Sequence, residues 1–449
     1  MGRLFGTDGI RGKANQYPMD GTLAFSLGQA VTHILGGPGP RPKVIVGRDT
    51  RISGPMLESA LVAGILSRGG DALQVGVLPT PGIAYLTTSL RADAGVMVSA
   101  SHNPYEDNGL KIFSGQGFKL PDDMEEKIEN LILGGTLPER VPSPENLGKL
   151  SRLKDAAGRY VEFLKQALPR RFSLEGMRLV LDTANGAAFG VAPAVFSELG
   201  ADVHVINDQP DGVNINDHCG SQFTEGLQEQ VIEKRADMGL AFDGDGDRLI
   251  AVDEKGNRLT GDQILFICAL SLKNRGELKN DLLVSTIMSN LGLRTACRKH
   301  GIKHHASGVG DRYVLEDMRR LGAVIGGEES GHLIFLDAHT TGDGIFAGLR
   351  LAEVMVREKR PLSELAKWME VFPQKLVNVE VRSKPDLNSI PEIVEVIRGA
   401  EAELGDRGRV LVRYSGTQDL CRVMVEGPTE DKVESLCRSI ARVVEKALA

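Results

Sequence analysis

The chain has 449 residues, with 53 Lys and Arg against 60 Asp and Glu, a formal net charge of −7, 41% apolar and 25% charged residues. At about 150 residues per domain there is room for roughly three domains, and the acidic balance excludes a broad nucleic-acid-binding face while leaving local anion sites open. The five cysteines, Cys219, Cys268, Cys297, Cys421 and Cys437, are scattered and form no Cys-x-x-Cys pair, which excludes a zinc knuckle and a disulfide framework and fits a reducing cytoplasm.

The start Met1-Gly2-Arg3-Leu4-Phe5-Gly6 lacks the apolar stretch of a signal peptide, and Gly6 stands where a myristoylation signal needs Ser or Thr. No run approaches the ~18 apolar residues of a membrane span. The expectation is a soluble, cytoplasmic protein with neither nucleic-acid nor membrane partners. Gly6-Thr7-Asp8-Gly9-Ile10-Arg11-Gly12 then sets glycines around one arginine.

Lys43–Val46 reads as a strand, followed by the polar loop Gly47-Arg48-Asp49-Thr50-Arg51, a helical pattern from Pro55 to Arg68, and a strand Ala72–Val77 ending at Leu78-Pro79-Thr80-Pro81. The apolar run Val96-Met97-Val98 stops at Ser99-Ala100-Ser101-His102-Asn103-Pro104. That places hydroxyls and an imidazole at the end of a buried strand. Such a hydroxyl can carry a phosphoryl group, and the segment alone reads equally well as a polar strand-to-helix turn.

The pattern restarts with the strand Arg178–Asp182 and the turn Thr183–Ala188, and again with the strand Leu282–Thr286. Strands alternating with helices in three similar modules predict α/β layers with parallel or mixed sheets. After Val371-Phe372-Pro373 the pattern becomes strand, helix, strand, strand, helix. The last helix places Val433, Leu436, Cys437, Ile440, Val443, Val444 and Leu448 on one face. The expected domains are 1–150, 151–253 and 254–370, all α/β, and a C-terminal α+β domain, 371–449.

Phe242-Asp243-Gly244-Asp245-Gly246-Asp247-Arg248 is the densest chemical signal. Two glycines permit backbone angles that Cβ would forbid, so all three carboxylates can turn inward. That crowd needs a cation, and oxygen-only ligands select a hard ion such as Mg²⁺. A calcium loop competes, since Asp243, Asp245, Asp247 and Glu254 match positions 1, 3, 5 and 12 of an EF-hand. Arg248 stands at its obligatory glycine, however, and the flanks read as strands. Gly326-Gly327-Glu328-Glu329-Ser330-Gly331-His332 offers an acceptor and a hydroxyl on one side, if extended, to suit a polyol. Arg413-Tyr414-Ser415-Gly416-Thr417, with Arg422 following, offers a phosphate cradle. Gly308-Val309-Gly310-Asp311-Arg312-Tyr313 puts another basic group on a glycine-bearing loop.

In this order these loops resemble the α-D-phosphohexomutase family over nearly the whole chain. The resemblance implies four domains around a central cleft, three of them sharing one α/β fold. It implies Ser101 as the phosphoserine, a Mg²⁺ held by Ser101, Asp243, Asp245 and Asp247, and a sugar held by Glu328 and Ser330. It implies a substrate phosphate on Arg413, Ser415, Gly416 and Thr417, with Arg248 also in contact with substrate. Motif position puts Arg11, His102, Lys111 and His332 around the reacting phosphate, with Lys111 or His332 as the base. Gly6–Gly12 and Pro210-Asp211-Gly212-Val213-Asn214-Ile215-Asn216 resemble the branch that interconverts glucosamine 6-phosphate and glucosamine 1-phosphate through glucosamine 1,6-bisphosphate, for cell-wall amino sugars. A glucose or mannose phosphate mutase is the near alternative, a phosphatase or a calcium-binding protein the distant ones. Thr417-Gln418-Asp419 departs from the family's Thr-Glu-Pro.

Overall fold

The computed structural model describes residues 4–6, 8–35, 41–135, 142–415 and 419–448. The chain divides into two compact units, residues 1–287 with 302–367, and residues 288–301 with 368–449.

The larger unit contains three mixed sheets. The first has β1 (Ile10–Lys13), β2 (Lys43–Arg48), β3 (Asp71–Val77), β4 (Ala94–Val98), β5 (Asp107–Ser114) and β6 (Leu150–Arg152). The second has β7 (Arg178–Asp182), β8 (Asp202–Ile206), β9 (Met238–Phe242), β10 (Leu249–Asp253) and β11 (Arg258–Leu259). The third has β12 (Leu282–Thr286), β13 (Lys303–Ser307), β14 (Ile325–Gly327) and β15 (Leu333–Phe335). One four-strand plan recurs in all three. A central strand (β2, β7, β12) has parallel neighbours on both sides, and one of these (β4, β9, β14) turns back into an antiparallel strand (β5, β10, β15). The segments Ser99–Glu106, Asp243–Arg248 and Glu328–His332 are therefore the same connection in three successive modules. The polar end of β4 leads into a strand and not into a helix.

β4 is buried along its whole length, as expected of a central apolar strand without alternation. Where it ends, Ser101 adopts φ 55°, a left-handed conformation uncommon for a residue with Cβ. Several bonds hold it there. Its carbonyl accepts from Arg51 Nη2 (3.0 Å) and Asn216 Nδ2 (2.9 Å), and its N–H donates to Ser99 Oγ (3.0 Å), which in turn donates to Asp49 Oδ2 (2.6 Å). The fully buried Arg51 donates also to the carbonyls of Asn103, Pro104 and Asp107 and pairs with Asp49 at 2.9 Å. The loop Gly47–Arg51 is thus the frame of the serine loop.

The smaller unit has an antiparallel sheet of β16 (Gln374–Glu380), β17 (Arg409–Tyr414) and β18 (Leu420–Glu426), with β18 central. The helices Pro391–Leu404 and Glu430–Leu448 share its core, into which the second buries Val433, Cys437, Ile440, Val444 and Leu448. Leu291–Lys299 is a helix of this unit, and its cap Asn290 also pairs with the backbone of Phe372.

Arg51→Met should lower stability by about 3–5 kcal/mol, because it strands the buried Asp49 carboxylate and four loop carbonyls; urea unfolding measures it. A loss of only ~0–1 kcal/mol, that of a surface pair, would contradict this frame. The buried His339 is held down to about 4 by desolvation. A depressed folded pKa means stability is present above the unfolded value near 6.5 and is lost as pH falls toward about 4. Unfolding free energies measured across that window should fall less steeply for His339→Asn than for the unaltered chain.

Candidate active site

Three carboxylates crowd the connection between β9 and β10. Asp243, Asp245 and Asp247 are 0%, 0% and 3% exposed, and one oxygen of each lies within 4.8 Å of the others. Their backbone is pinned from outside. The carbonyls of Gly244, Asp245 and Gly246 accept, in order, from the N–H groups of Ala187 (2.8 Å), Thr80 (2.9 Å) and Gly344 (3.0 Å). Each donor is the first residue of a helical turn: a 3-10 turn, Ala187–Phe189, and the α-helices Thr80–Ser89 and Gly344–Glu358. One belongs to each module, and the two α-helices aim their positive ends at the carboxylates. Gly246 has the positive φ expected of it (69°). Gly244 does not; what it requires is room, since a Cβ there would lie 2.6 Å from the Ser101 carbonyl oxygen.

Ser101 Oγ donates to Asp243 Oδ2 at 2.6 Å. Asp243 Oδ1 accepts from Arg248 N (3.2 Å), and Asp245 Oδ2 accepts from Thr80 Oγ1 (2.5 Å) and Lys111 Nζ (2.8 Å). Among the described residues Asp245 Oδ1 is buried with no hydrogen-bond partner, and Asp247 Oδ1 has only the longer ion pairs to His332 Nδ1 (3.5 Å) and Arg248 Nε (4.0 Å). Burial, then the charges of Asp247 and Asp245, push Asp243 well above the ordinary carboxylate range. A bare oxygen on Asp245 and an Asp243 carboxylate driven towards its neutral form fit a site shaped for a hard divalent cation. The calcium-loop alternative fails here. The flanks are antiparallel strands, and Glu254 accepts instead from Ser363.

A closed ring of alternating charge surrounds the triad. Asp247 meets Lys111 (3.2 Å), Lys111 meets Asp8 (3.0 Å), and Lys119 bridges Asp8 and Asp311. Asp311 then meets His332 Nε2 (3.4 Å), whose Nδ1 returns to Asp247 (3.5 Å). Burial opposes the Lys111 ammonium, yet Asp245, Asp247 and Asp8 outweigh it and hold its pKa well above the ordinary value. His332 is raised in the same way, Asp247 and Asp311 overcoming burial. Burial, then Lys111 and Lys119, act on Asp8 with a net result well below its usual range.

Arg11 pairs with Asp8, and Arg248 Nε approaches Asp247 at 4.0 Å; among the described residues neither arginine's buried Nε has a hydrogen-bond partner. His102 is half-buried. Desolvation, then Arg248 and Arg11, lower it to about 3, so it is neutral at physiological pH.

The Glu328 segment is not extended. Glu328 N donates to the His332 carbonyl and Gly331 N to that of Glu328, closing a tight turn that leaves Ser330 exposed. Burial raises Glu328, with His332 and Arg248 acting against it. Arg312 points away, pairing with Asp122 and with Glu125 (2.6 Å).

In the smaller unit, Arg413 and Arg422 face each other across β17 and β18. Among the described residues the Nε of each is buried without a hydrogen-bond partner, and burial, then Arg422, lowers the pKa of Arg413. Ser415 is buried beside them. Gly416, Thr417 and Gln418 lie outside the described residues.

Sequence reasoning missed Asp8, Asp311, Lys119 and Thr80. Asp8 and Asp311 stand in segments singled out for their arginines, and their carboxylates were the available signal. Lys119 had none, because only the fold brings it between the two.

The sequence matches all four domain descriptions of phosphoglucomutase/phosphomannomutase: α/β/α domain I over residues 2–138, domain II over 158–256, domain III over 260–372 and the C-terminal domain over 376–443. It is 62% identical over 448 residues to a phosphoglucosamine mutase of Syntrophobacter fumaroxidans, and 56% identical over 448 residues to one of Syntrophus aciditrophicus, covering 100% of each chain in both cases. A phosphoglucomutase/phosphomannomutase family protein from Burkholderia thailandensis has the same fold (TM-score 0.80, 25% identity, 98% of this chain and 97% of that one). So does an Aspergillus fumigatus N-acetylphosphoglucosamine mutase (TM-score 0.69, 17% identity, 99% and 95%). The chain belongs to the phosphoglucomutase/phosphomannomutase family, the α-D-phosphohexomutases, as its four loops and its thrice-repeated α/β plan imply.

Proposed function

We propose that the chain interconverts glucosamine 6-phosphate and glucosamine 1-phosphate by way of a phosphorylated Ser101 and glucosamine 1,6-bisphosphate, in the cytoplasm, on the way to cell-wall amino sugars. The observation that carries the chemistry is the Ser101 hydroxyl 2.6 Å from Asp243 within a buried carboxylate triad. The names of the full-length relatives at 62% and 56% identity support the amino sugar.

Asp243, Asp245, Asp247 and a phosphoryl oxygen on Ser101 would hold Mg²⁺. When bound, the ion supplies positive charge that offsets the carboxylates and draws electron density from phosphorus. The chain's own groups do the rest. A sugar hydroxyl attacks phosphorus, its bond to phosphorus forms, and the bond to Ser101 Oγ breaks. Arg11 and Arg248, whose Nε groups have no hydrogen-bond partner among the described residues, supply charged donors to the transferring oxygens. Of the two expected bases, His332 in its neutral form takes the proton of the attacking hydroxyl, while Lys111, held as an ammonium by Asp245, Asp247 and Asp8, supplies positive charge beside the phosphoryl group; the ring joins the two through Asp247. The bisphosphate then turns end for end, and Ser101 Oγ takes back the other phosphate, so no net proton or phosphate is consumed.

Glu328 and Ser330 serve as sugar contacts usable in either orientation. Arg413, Ser415, Gly416 and Thr417 bind the phosphate that is not reacting. Among the described residues no helix is long and apolar enough to cross a membrane.

Ser101→Ala, primed with bisphosphate, should lose on the order of 10⁴-fold or more of its turnover and the phosphate mass found on the unaltered chain. Full turnover would remove Ser101 as carrier. Chelation of divalent metal should abolish transfer, and added Mg²⁺ should restore it. Turnover measured side by side on glucosamine, glucose and mannose phosphates should favour glucosamine; a preference for either neutral sugar would reassign the substrate.

A further inference from the structure

Pro79-Thr80-Pro81 opens the helix Thr80–Ser89, and nothing in the proposed chemistry uses it. Neither proline has a backbone N–H, and each fixes its own φ. Thr80 is therefore the only residue of the three with a backbone donor, and it has a hydroxyl as well. Both donors go to one partner: the N–H to the Asp245 carbonyl (2.9 Å) and Oγ1 to Asp245 Oδ2 (2.5 Å). Thr80 is fully buried, and its branched Cβ restricts χ1. With Lys111 Nζ at 2.8 Å on the same oxygen, Oδ2 is saturated. The other oxygen, Oδ1, is buried and has no hydrogen-bond partner among the described residues.

We propose that Thr80 is a positioning residue of the metal site, fixing the Asp245 carboxylate so that Oδ1, and not Oδ2, is presented to the divalent cation. The inference rests on reading the triad as a cation site and extends it to a residue of another module. Thr80 touches neither the cation nor the sugar. It acts by holding a ligand's second oxygen, so its loss weakens the cation's hold before it slows the reaction. The neighbouring pins, Ala187 and Gly344, use backbone N–H groups alone, which makes Thr80 the one of the three that side-chain substitution can test.

The test uses the full chain with Mn²⁺ as probe, free Mn²⁺ being read by electron paramagnetic resonance, alongside Mg²⁺ activation curves for mutase turnover. Thr80→Val keeps the shape and removes the hydroxyl; Thr80→Ser keeps the hydroxyl. The Val variant should bind Mn²⁺ about 10–100-fold more weakly, the range for removing a partner that orients a metal ligand. Its half-activating Mg²⁺ concentration should rise by more than its rate at saturating Mg²⁺ falls, and the Ser variant should recover both. Thermal unfolding checks each fold, and Thr80→Ala, which adds no methyl in place of the hydroxyl, takes the place of Val if that variant does not fold. Mn²⁺ affinity unchanged in a folded Val or Ala variant, or equal damage in the Ser variant, overturns the proposal. No Mn²⁺ binding by the unaltered chain overturns the cation site and this inference with it. Normal binding and the Thr80 effect without glucosamine phosphate turnover overturn only the proposed substrate reaction.

Discussion

Three carboxylates held out of water within 4.8 Å of one another are the constraint that the rest of the larger unit serves. Like charges at such separation repel strongly wherever the surroundings are less polarisable than water. The chain opposes that repulsion with fixed groups: helix N-termini on three successive carbonyls, Lys111 on two of the carboxylates, and a serine hydroxyl on the third. None of these can move away cheaply, because each is built into a different packed element. The compensation left incomplete is concentrated on Asp245 Oδ1, which has no hydrogen-bond partner among the described residues.

The ring from Asp247 through Lys111, Asp8, Lys119, Asp311 and His332 spreads the same logic across modules. Buried ion pairs contribute little net stability compared with apolar packing, but removing one member leaves an uncompensated charge. Asp8 and Lys111 come from the first module, Asp247 from the second, Asp311 and His332 from the third. A ring of this kind therefore ties three separately folded sheets to one mutual arrangement. It also couples the Lys111 ammonium and the His332 imidazole electrostatically to the carboxylates that would hold the cation.

Much of this was legible in the sequence, for a physical reason. A central strand must be apolar along its length, so where β4, β9 and β14 stop, polar residues and glycines mark the loops plainly. Asp243, Asp245 and Asp247 are adjacent in the chain, and local spacing sufficed to see them as a set. The strand and helix pattern after Pro373 followed from the stripe of Val433, Cys437, Ile440 and Val444. What escaped was long-range. Lys119 lies 111 positions from Asp8 and 192 from Asp311, and no periodicity announces their meeting. Thr80 sits between prolines that mark a turn without saying what the turn holds. Glycine permits both an extended and a turned backbone at Glu328–Gly331, and long-range packing selects the turn.

The repeated plan has a consequence for how the protein comes together. The connection that carries the carboxylates grows from the second module, yet of its three consecutive carbonyls only Gly244 is held by that module's own residue, Ala187. The hand-holds for Asp245 and Gly246 belong to the first and third modules. The loop behaves as the keystone of an arch: it takes its working shape only when the pieces on either side are seated. A chain with one module out of place would keep the sequence of the carboxylate triad and lose the backbone bonds that shape it.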